Sequence, residues 1–121
     1  MDRPFRQLIQ ESSRLHHLGQ PTAAHDLEQE ALEVGTEQDI NTLGYCYLFQ
    51  HNDLERATAI FRKNAEDYPA SWNAHDSLAE ALALQGEIGE SLDCYRIAYE
   101  MAPRGHRARI RRTMDRLSGL N

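Results

Sequence analysis

Two stretches decide the fold, NDLERATAIF at residues 52–61 and GEIGESLDCY at residues 86–95. The second echoes the first after 34 residues, and each is followed eight residues later by a proline, Pro69 or Pro103. A fainter copy precedes them by about 33 residues and includes Leu15, Gly19, Ala24, Leu27 and Ala31. A period of about 20 to 50 residues is typical of repeat proteins, in which each unit packs on the next one.

The apolar residues within each unit recur with helical spacing, as at Ala57, Ile60, Phe61 and Ala65. The spacing and the turn residues predict seven helices, over residues 4–18, 22–34, 38–51, 54–67, 72–85, 88–101 and 105–118. We therefore expect an all-α antiparallel helix-hairpin solenoid in a single domain, residues 1–121. Its units would span about residues 4–36, 37–70 and 71–103, and residues 104–118 would form a capping helix.

Composition narrows the class of protein. The chain of 121 residues is 40% apolar and 26% charged, which suits one globular domain. No apolar run approaches the roughly 18 residues that a membrane span needs. Because residues 1–20 also lack the apolar stretch of a secretory leader, we expect a cytoplasmic protein. Cys46 and Cys94 are far apart and have no histidine at ligand spacing, so we expect two free thiols among apolar neighbours.

The small and large residues of the repeat carry a family resemblance. In the second unit they are Leu43, Gly44, Tyr47, Ala57, Phe61 and Pro69, and in the third unit they are Leu78, Ala79, Leu82, Gly86, Tyr95, Ala98 and Pro103. With these residues the chain resembles a tetratricopeptide-repeat (TPR) protein, in which small residues let paired helices approach closely. The resemblance implies a scaffold for protein–protein interaction with a concave binding groove. The second unit has one extra residue, which we place in the turn around His51 to Asp53, and the first unit has Glu11-Ser12 at its glycine-like position.

A narrower resemblance covers residues 38–103. The strings INTLGYCYL (residues 40–48) and ERATAIFRKNAEDYPASWNAHDSLAEALALQGE (residues 55–87) are similar to the repeat tail of some bacterial serine hydrolases, both esterase-like and β-lactamase-like. The chain has neither GxSxG nor SxxK, so no catalytic residue is implied and we expect no enzyme. The favoured function is an interaction module. The alternative is an accessory or oligomerisation domain that serves a serine hydrolase in the same or a separate chain.

Repeat spacing also predicts the side chains of the concave groove. They are Arg6, Gln10, Ser13 and His17 in the first unit, Asn41, Thr42, Tyr45 and Phe49 in the second, and Asp76, Ser77 and Glu80 in the third. The aromatic residues would supply contact area and the acids would pair with Lys or Arg of a basic and apolar peptide. Alternatively, the aromatic rings pack on the adjacent repeat and the acids are solvated.

The charge of the chain is unevenly distributed. Residues 1–103 carry a net charge of −11, whereas residues 104–121 carry six arginines and one aspartate. Ile110, Met114 and Leu117 form one stripe of the last predicted helix, so we expect it to cap the open end of the stack. Its exposed arginines, among them Arg107, Arg111 and Arg112, could instead bind an acidic partner, a membrane surface, RNA or a second copy.

We expect no nucleic-acid partner, because the body is acidic and the arginines have no aromatic rings beside them on which bases could stack. We also expect no membrane partner. The six histidines include no pair at i, i+4, so we expect no metal and no cofactor. Trp72 is expected to wedge between successive hairpins.

Overall fold

A computed structural model of the chain describes residues 4–119. All regular structure in this range is helical and comprises seven α-helices, which confirms the predicted all-α fold. They are α1 (Phe5–His17), α2 (Pro21–Val34), α3 (Glu37–Tyr45), α4 (Leu54–Asp67), α5 (Trp72–Leu84), α6 (Ile88–Met101) and α7 (Arg104–Leu117). A π-helical turn, Cys46–Gln50, continues α3.

The chain divides into two compact units, with the boundary between Ile40 and Asn41. In the first unit α1 and α2 pack as a hairpin. In the second unit the π-helical turn packs on α4, and α4 to α7 pack successively on one another. The single domain over residues 1–121 stays a prediction.

The first unit has a small core between α1 and α2. Leu8 and Ala31 are fully buried there. The Ser12 hydroxyl donates a hydrogen bond of 2.6 Å to the carbonyl of Ala24, which joins the two helices where they approach each other. Because this serine is 7% exposed, the bond satisfies a polar group that would otherwise be costly to bury.

The second unit has a larger core, to which α7 contributes at one end. Phe61 and Ile110 are both 0% exposed, and Met114 and Leu117 are partly buried against the same cluster. The predicted apolar stripe of the last helix therefore faces the core of the second unit. Trp72 is half-buried against this cluster, and its ring centroid lies 4.5 Å from that of His106 in α7.

The hairpin turns share one geometry. Gly19 and Gly86 have positive φ angles of 76° and 84°, and the residue after each glycine donates to the carbonyl five residues back, at 2.9 Å in both turns. This is the Schellman arrangement that ends many helices. Asn52, with φ of 52°, takes the same place in the middle hairpin. There, however, the N–H of Asp53 reaches six residues back, to the carbonyl of Tyr47.

The extra residue of the middle hairpin consequently lies inside the helix, and its predicted position in the turn around His51 to Asp53 is wrong. Gly86 stands seven positions after Ala79, but Asn52 stands eight positions after the equivalent Gly44. The π-helical turn takes up the difference, because its bonds span five residues, as in the 3.2 Å bond from the N–H of His51 to the carbonyl of Cys46.

Candidate functional site

Tyr45 is the centre of the candidate site, and its ring is supported from α4. The preceding residue is Gly44, and the ring of Phe61 lies directly against its backbone. A Cβ atom at position 44 would lie 2.8 Å from Cζ of Phe61, so only glycine permits this approach. The ring centroids of Phe61 and Tyr45 are 4.9 Å apart in an edge-to-face arrangement, which fixes the Tyr45 ring on one side.

The hydroxyl of Tyr45 joins α3 to α5. It lies 2.8 Å from Oε1 of Glu80 and 3.1 Å from Oγ of Ser77. A carboxylate can only accept, so the phenol donates its single proton to Glu80 and accepts from the Ser77 hydroxyl. Burial raises the pKa of Tyr45 above its ordinary value, and Glu80 raises it further. The phenol therefore remains a proton donor throughout the physiological range of pH.

Phe49 lies one helical turn beyond Tyr45, in the π-helical turn. The two rings stack with centroids 5.7 Å apart and an interplanar angle of 7°. Although its ring is stacked, Phe49 is 65% exposed, more than any other large apolar residue of the described chain. Tyr45 and Phe49 together are called the aromatic platform below. One ring of the platform is thus bonded to the next repeat, while the other presents apolar surface to solvent.

Asp76 already has a cationic partner within the chain. Its Oδ2 lies 2.9 Å from Nη2 of Arg109, and its side chain is only 12% exposed. The carboxylate is therefore not available as an unpaired acid for a ligand, which limits its predicted role in the groove. Arg109 was not among the predicted site residues. Its separation from Asp76 is 33 residues, close to the repeat period, and this spacing is the signal that could have identified it.

Both acidic and basic side chains lie around the buried Tyr95. Asp76, Glu80, Arg109 and Arg116 all act on buried Tyr95, whose pKa rises to about 12, mainly because of burial and secondarily because of the two acids. Of the two predicted groove acids, Asp76 is paired with Arg109, whereas Glu80 lies beside Tyr45 and forms no ion pair within residues 4–119.

The remaining predicted groove residues have fewer contacts. Asn41 is half-buried, and its Oδ1 atom is buried without a hydrogen-bond partner in the described structure. Arg6, Gln10 and His17 are exposed residues of α1, in the first unit. Nδ1 of His17 lies 2.8 Å from the carbonyl of Ser13. The exposure of these residues agrees with a surface role, and no hydrogen bond or ion pair among residues 4–119 joins them to one another.

The arginines of α7 differ in their contacts. Arg107 donates a 3.0 Å hydrogen bond to the carbonyl of Ala102, and its guanidinium lies 5.9 Å from the ring centroid of Tyr99. Arg111 lies 3.8 Å from Asp115, a distant ion pair. Arg112 is exposed and has no ion pair within residues 4–119. The predicted basic surface of the last helix therefore has both engaged and unengaged cations.

The described residues contain no group of three His, Cys, Asp or Glu side chains that could hold a metal ion. Both cysteines are free thiols; Cys94 is buried, and burial raises the pKa of its thiol. None of the helices in residues 4–119 is both long enough and apolar enough to cross a bilayer.

No protein-family model matches the chain, and no curated protein is significantly similar to it. The resemblance to tetratricopeptide-repeat proteins and the narrower resemblance to the tail of serine hydrolases both stay predictions from the sequence.

Proposed function

We propose that the chain is a binding module, without chemistry of its own, that holds a peptide segment of another protein on the aromatic platform. The observation that carries the proposal is Phe49, which is 65% exposed yet stacked flat on Tyr45. A large apolar ring in water is a favourable contact surface, and aromatic residues dominate the energetics of protein interfaces. The proposed location is the cytoplasm.

The platform suits binding because it is held in place before a ligand arrives. Phe61 packs against one side of Tyr45, and the hydroxyl of Tyr45 is bonded to Glu80. Side chains that are immobilised on binding lose conformational entropy, whereas side chains that are already fixed lose less. The bonds around Tyr45 therefore favour affinity without contacting the ligand.

The proposed ligand is a peptide that places an aromatic, aliphatic or arginine side chain on Phe49. Glu80 accepts the bond from Tyr45 through Oε1, which leaves Oε2 for a donor on the peptide. A lysine or arginine next to the apolar residue fits this arrangement. Asp76 contributes less than the sequence predicts, because Arg109 already neutralises its charge.

A random peptide library displayed on phage tests the proposal. Peptides enriched on the native chain should bind Phe49→Ala at least about tenfold more weakly, since a central aromatic contact is worth about 2 kcal/mol or more. Ile97→Ala is the matched control, because Ile97 is a 42% exposed apolar residue of α6. Glu80→Gln should weaken only those peptides that carry Lys or Arg beside their apolar residue.

Two results would reject the proposal. One is a set of enriched peptides that bind Phe49→Ala and Ile97→Ala equally well, since the binding surface would then lie elsewhere. The other is the absence of enrichment on the native chain from a library that yields ligands for a known peptide-binding protein.

A further inference from the structure

Three arginines of α7 lie outside the aromatic platform and outside its hydrogen-bonded neighbours. Arg104, Arg112 and Arg116 are exposed and make no ion pair within the described range of residues. Helical geometry places them on the side away from the fully buried Ile110, along about 18 Å of the helix. These three residues are called the arginine row.

A complementary pair of acids lies on α2. Asp26 and Glu33 are separated by two helical turns, so they lie on one stripe, about 10 Å long, opposite the buried Ala31. Both side chains are exposed and have no ion pair or hydrogen bond among residues 4–119. The sequence of α2 contains no Lys or Arg that could neutralise them. These two residues are called the acidic pair.

Both sets of charges include a residue at the unfavourable end of its helix. Arg104 is the first residue of α7, where the helix dipole is positive and where the first turn holds no acid. Glu33 is next to last in α2, where the dipole is negative and where the last turn holds no basic residue. Each charge therefore weakens its own helix end, and an opposite charge from outside would offset that effect.

We propose that the chain associates with a second copy of itself, with the arginine row of one copy docked on the acidic pair of the other. The charges are complementary, both rows are exposed, and both lie on regular helices. A bilayer is a poorer occupant for the arginine row, because the apolar stripe of α7 is used in the core and cannot insert. Nucleic acid is also poorer, because the chain has a net charge of −6. The proposed contact between copies shares no residue with the aromatic platform.

Charge reversal in two variants tests the contact. The first variant combines Arg104→Glu with Arg112→Glu, and the second combines Asp26→Arg with Glu33→Arg. Alone, each variant opposes like charges and should have the mass of a single chain, 13.9 kDa, by light scattering. An equimolar mixture restores opposite charges at the contact, so the mixture should show a mass of about two chains or more.

The native chain should also associate at about 0.1 M salt and dissociate at about 1 M salt, where the Debye length falls from about 10 Å to about 3 Å. The control variants reverse equal charge at other exposed positions, Arg6→Glu with Arg96→Glu and Glu55→Arg with Glu100→Arg. They should associate like the native chain. Circular dichroism on every variant separates lost association from lost folding.

Three outcomes overturn the proposal. They are a native chain that stays at 13.9 kDa in low salt, reversed variants that still associate alone, and a mixture of the two variants that stays monomeric. A monomeric native chain that binds polyglutamate or anionic lipid vesicles through α7 would also overturn it, because that ligand would replace the second copy.

Discussion

The substitution Gly44→Ala tests the contact on which the aromatic platform depends. A Cβ atom at position 44 would lie 2.7 Å from Cδ1 and 2.8 Å from Cζ of Phe61, well inside van der Waals contact. Phe61 is 0% exposed, so its ring cannot swing into solvent. Overpacking of this kind costs about 1–3 kcal/mol, whereas alanine is about 1 kcal/mol more favourable than glycine within a helix. We expect a net loss of up to about 2 kcal/mol in the free energy of unfolding.

Gly89→Ala is the matched control, because a Cβ atom at Gly89 in α6 meets nothing within 4 Å. This variant should gain up to about 1 kcal/mol from helix propensity alone. The difference between the two variants, about 1–3 kcal/mol, therefore isolates the clash with Phe61. In urea, with a slope of about 1–3 kcal/mol per molar, the midpoints should differ by roughly 1 M. Phe61→Leu should cost less in the Gly44→Ala background than in the native chain, because the smaller side chain relieves the clash.

Equal stabilisation by Gly44→Ala and Gly89→Ala would refute this reasoning. The ring of Phe61 would then not be fixed against α3, and it could not support Tyr45. In that case Gly44→Ala should also leave peptide binding unchanged, whereas a displaced Phe61 ring should weaken the binding of peptides that depend on Phe49.

Three further predictions follow from contacts in the second unit. Arg109→Ala should lower the free energy of unfolding by about 1–2 kcal/mol, less than for a fully buried pair because Arg109 is 45% exposed, and a double-mutant cycle with Asp76→Ala should show coupling of about 1 kcal/mol. Because the pKa of Tyr95 rises to about 12 in the folded chain, stability should fall as the pH rises from about 10 towards 12, and urea titrations should show a shallower fall in Tyr95→Phe. Deletion of Cys46 should restore the regular spacing of the middle hairpin and preserve helicity by circular dichroism, whereas deletion of Ala83 from the regular α5 should unfold the second unit.

The helices could be predicted from sequence because their signals are local. Apolar residues at helical spacing identify the buried stripe of each helix, as Ile110 does for α7. Gly19 and Gly86 mark two hairpin turns because a positive φ angle favours glycine. The 34-residue period then relates one hairpin to the next. None of these inferences requires knowledge of which side chains meet across the stack.

The side-chain contacts of the site could not be predicted in the same way. The sequence shows that the middle unit has one extra residue, but it does not show where that residue is accommodated. In the structure, Asn52 keeps the positive φ angle of the hairpin turn, and the extra residue enters the helix as a π-helical turn. The 33-residue spacing suggests that Arg109 lies near Asp76, but its long side chain can adopt many conformations, so the spacing alone does not show that the two form an ion pair. The sequence counts Asp76 and Glu80 as two acids of the groove. In the structure, the ion pair with Arg109 neutralises the charge of Asp76.

The contacts that hold the hairpins together involve different residues from those of the aromatic platform. Ser12 of α1 bonds to the carbonyl of Ala24, while Ser91 of α6 bonds to the carbonyl of Ala79, so the hydroxyl comes from opposite helices of the two hairpins. Both arrangements join the paired helices where small residues let them approach, and either serves the fold equally well. The stacked pair of Tyr45 and Phe49 has no counterpart in the other hairpins of the described chain. A fold needs the repeated contacts but not an exposed ring, so replacing a buried serine should affect stability, whereas replacing Phe49 should affect binding.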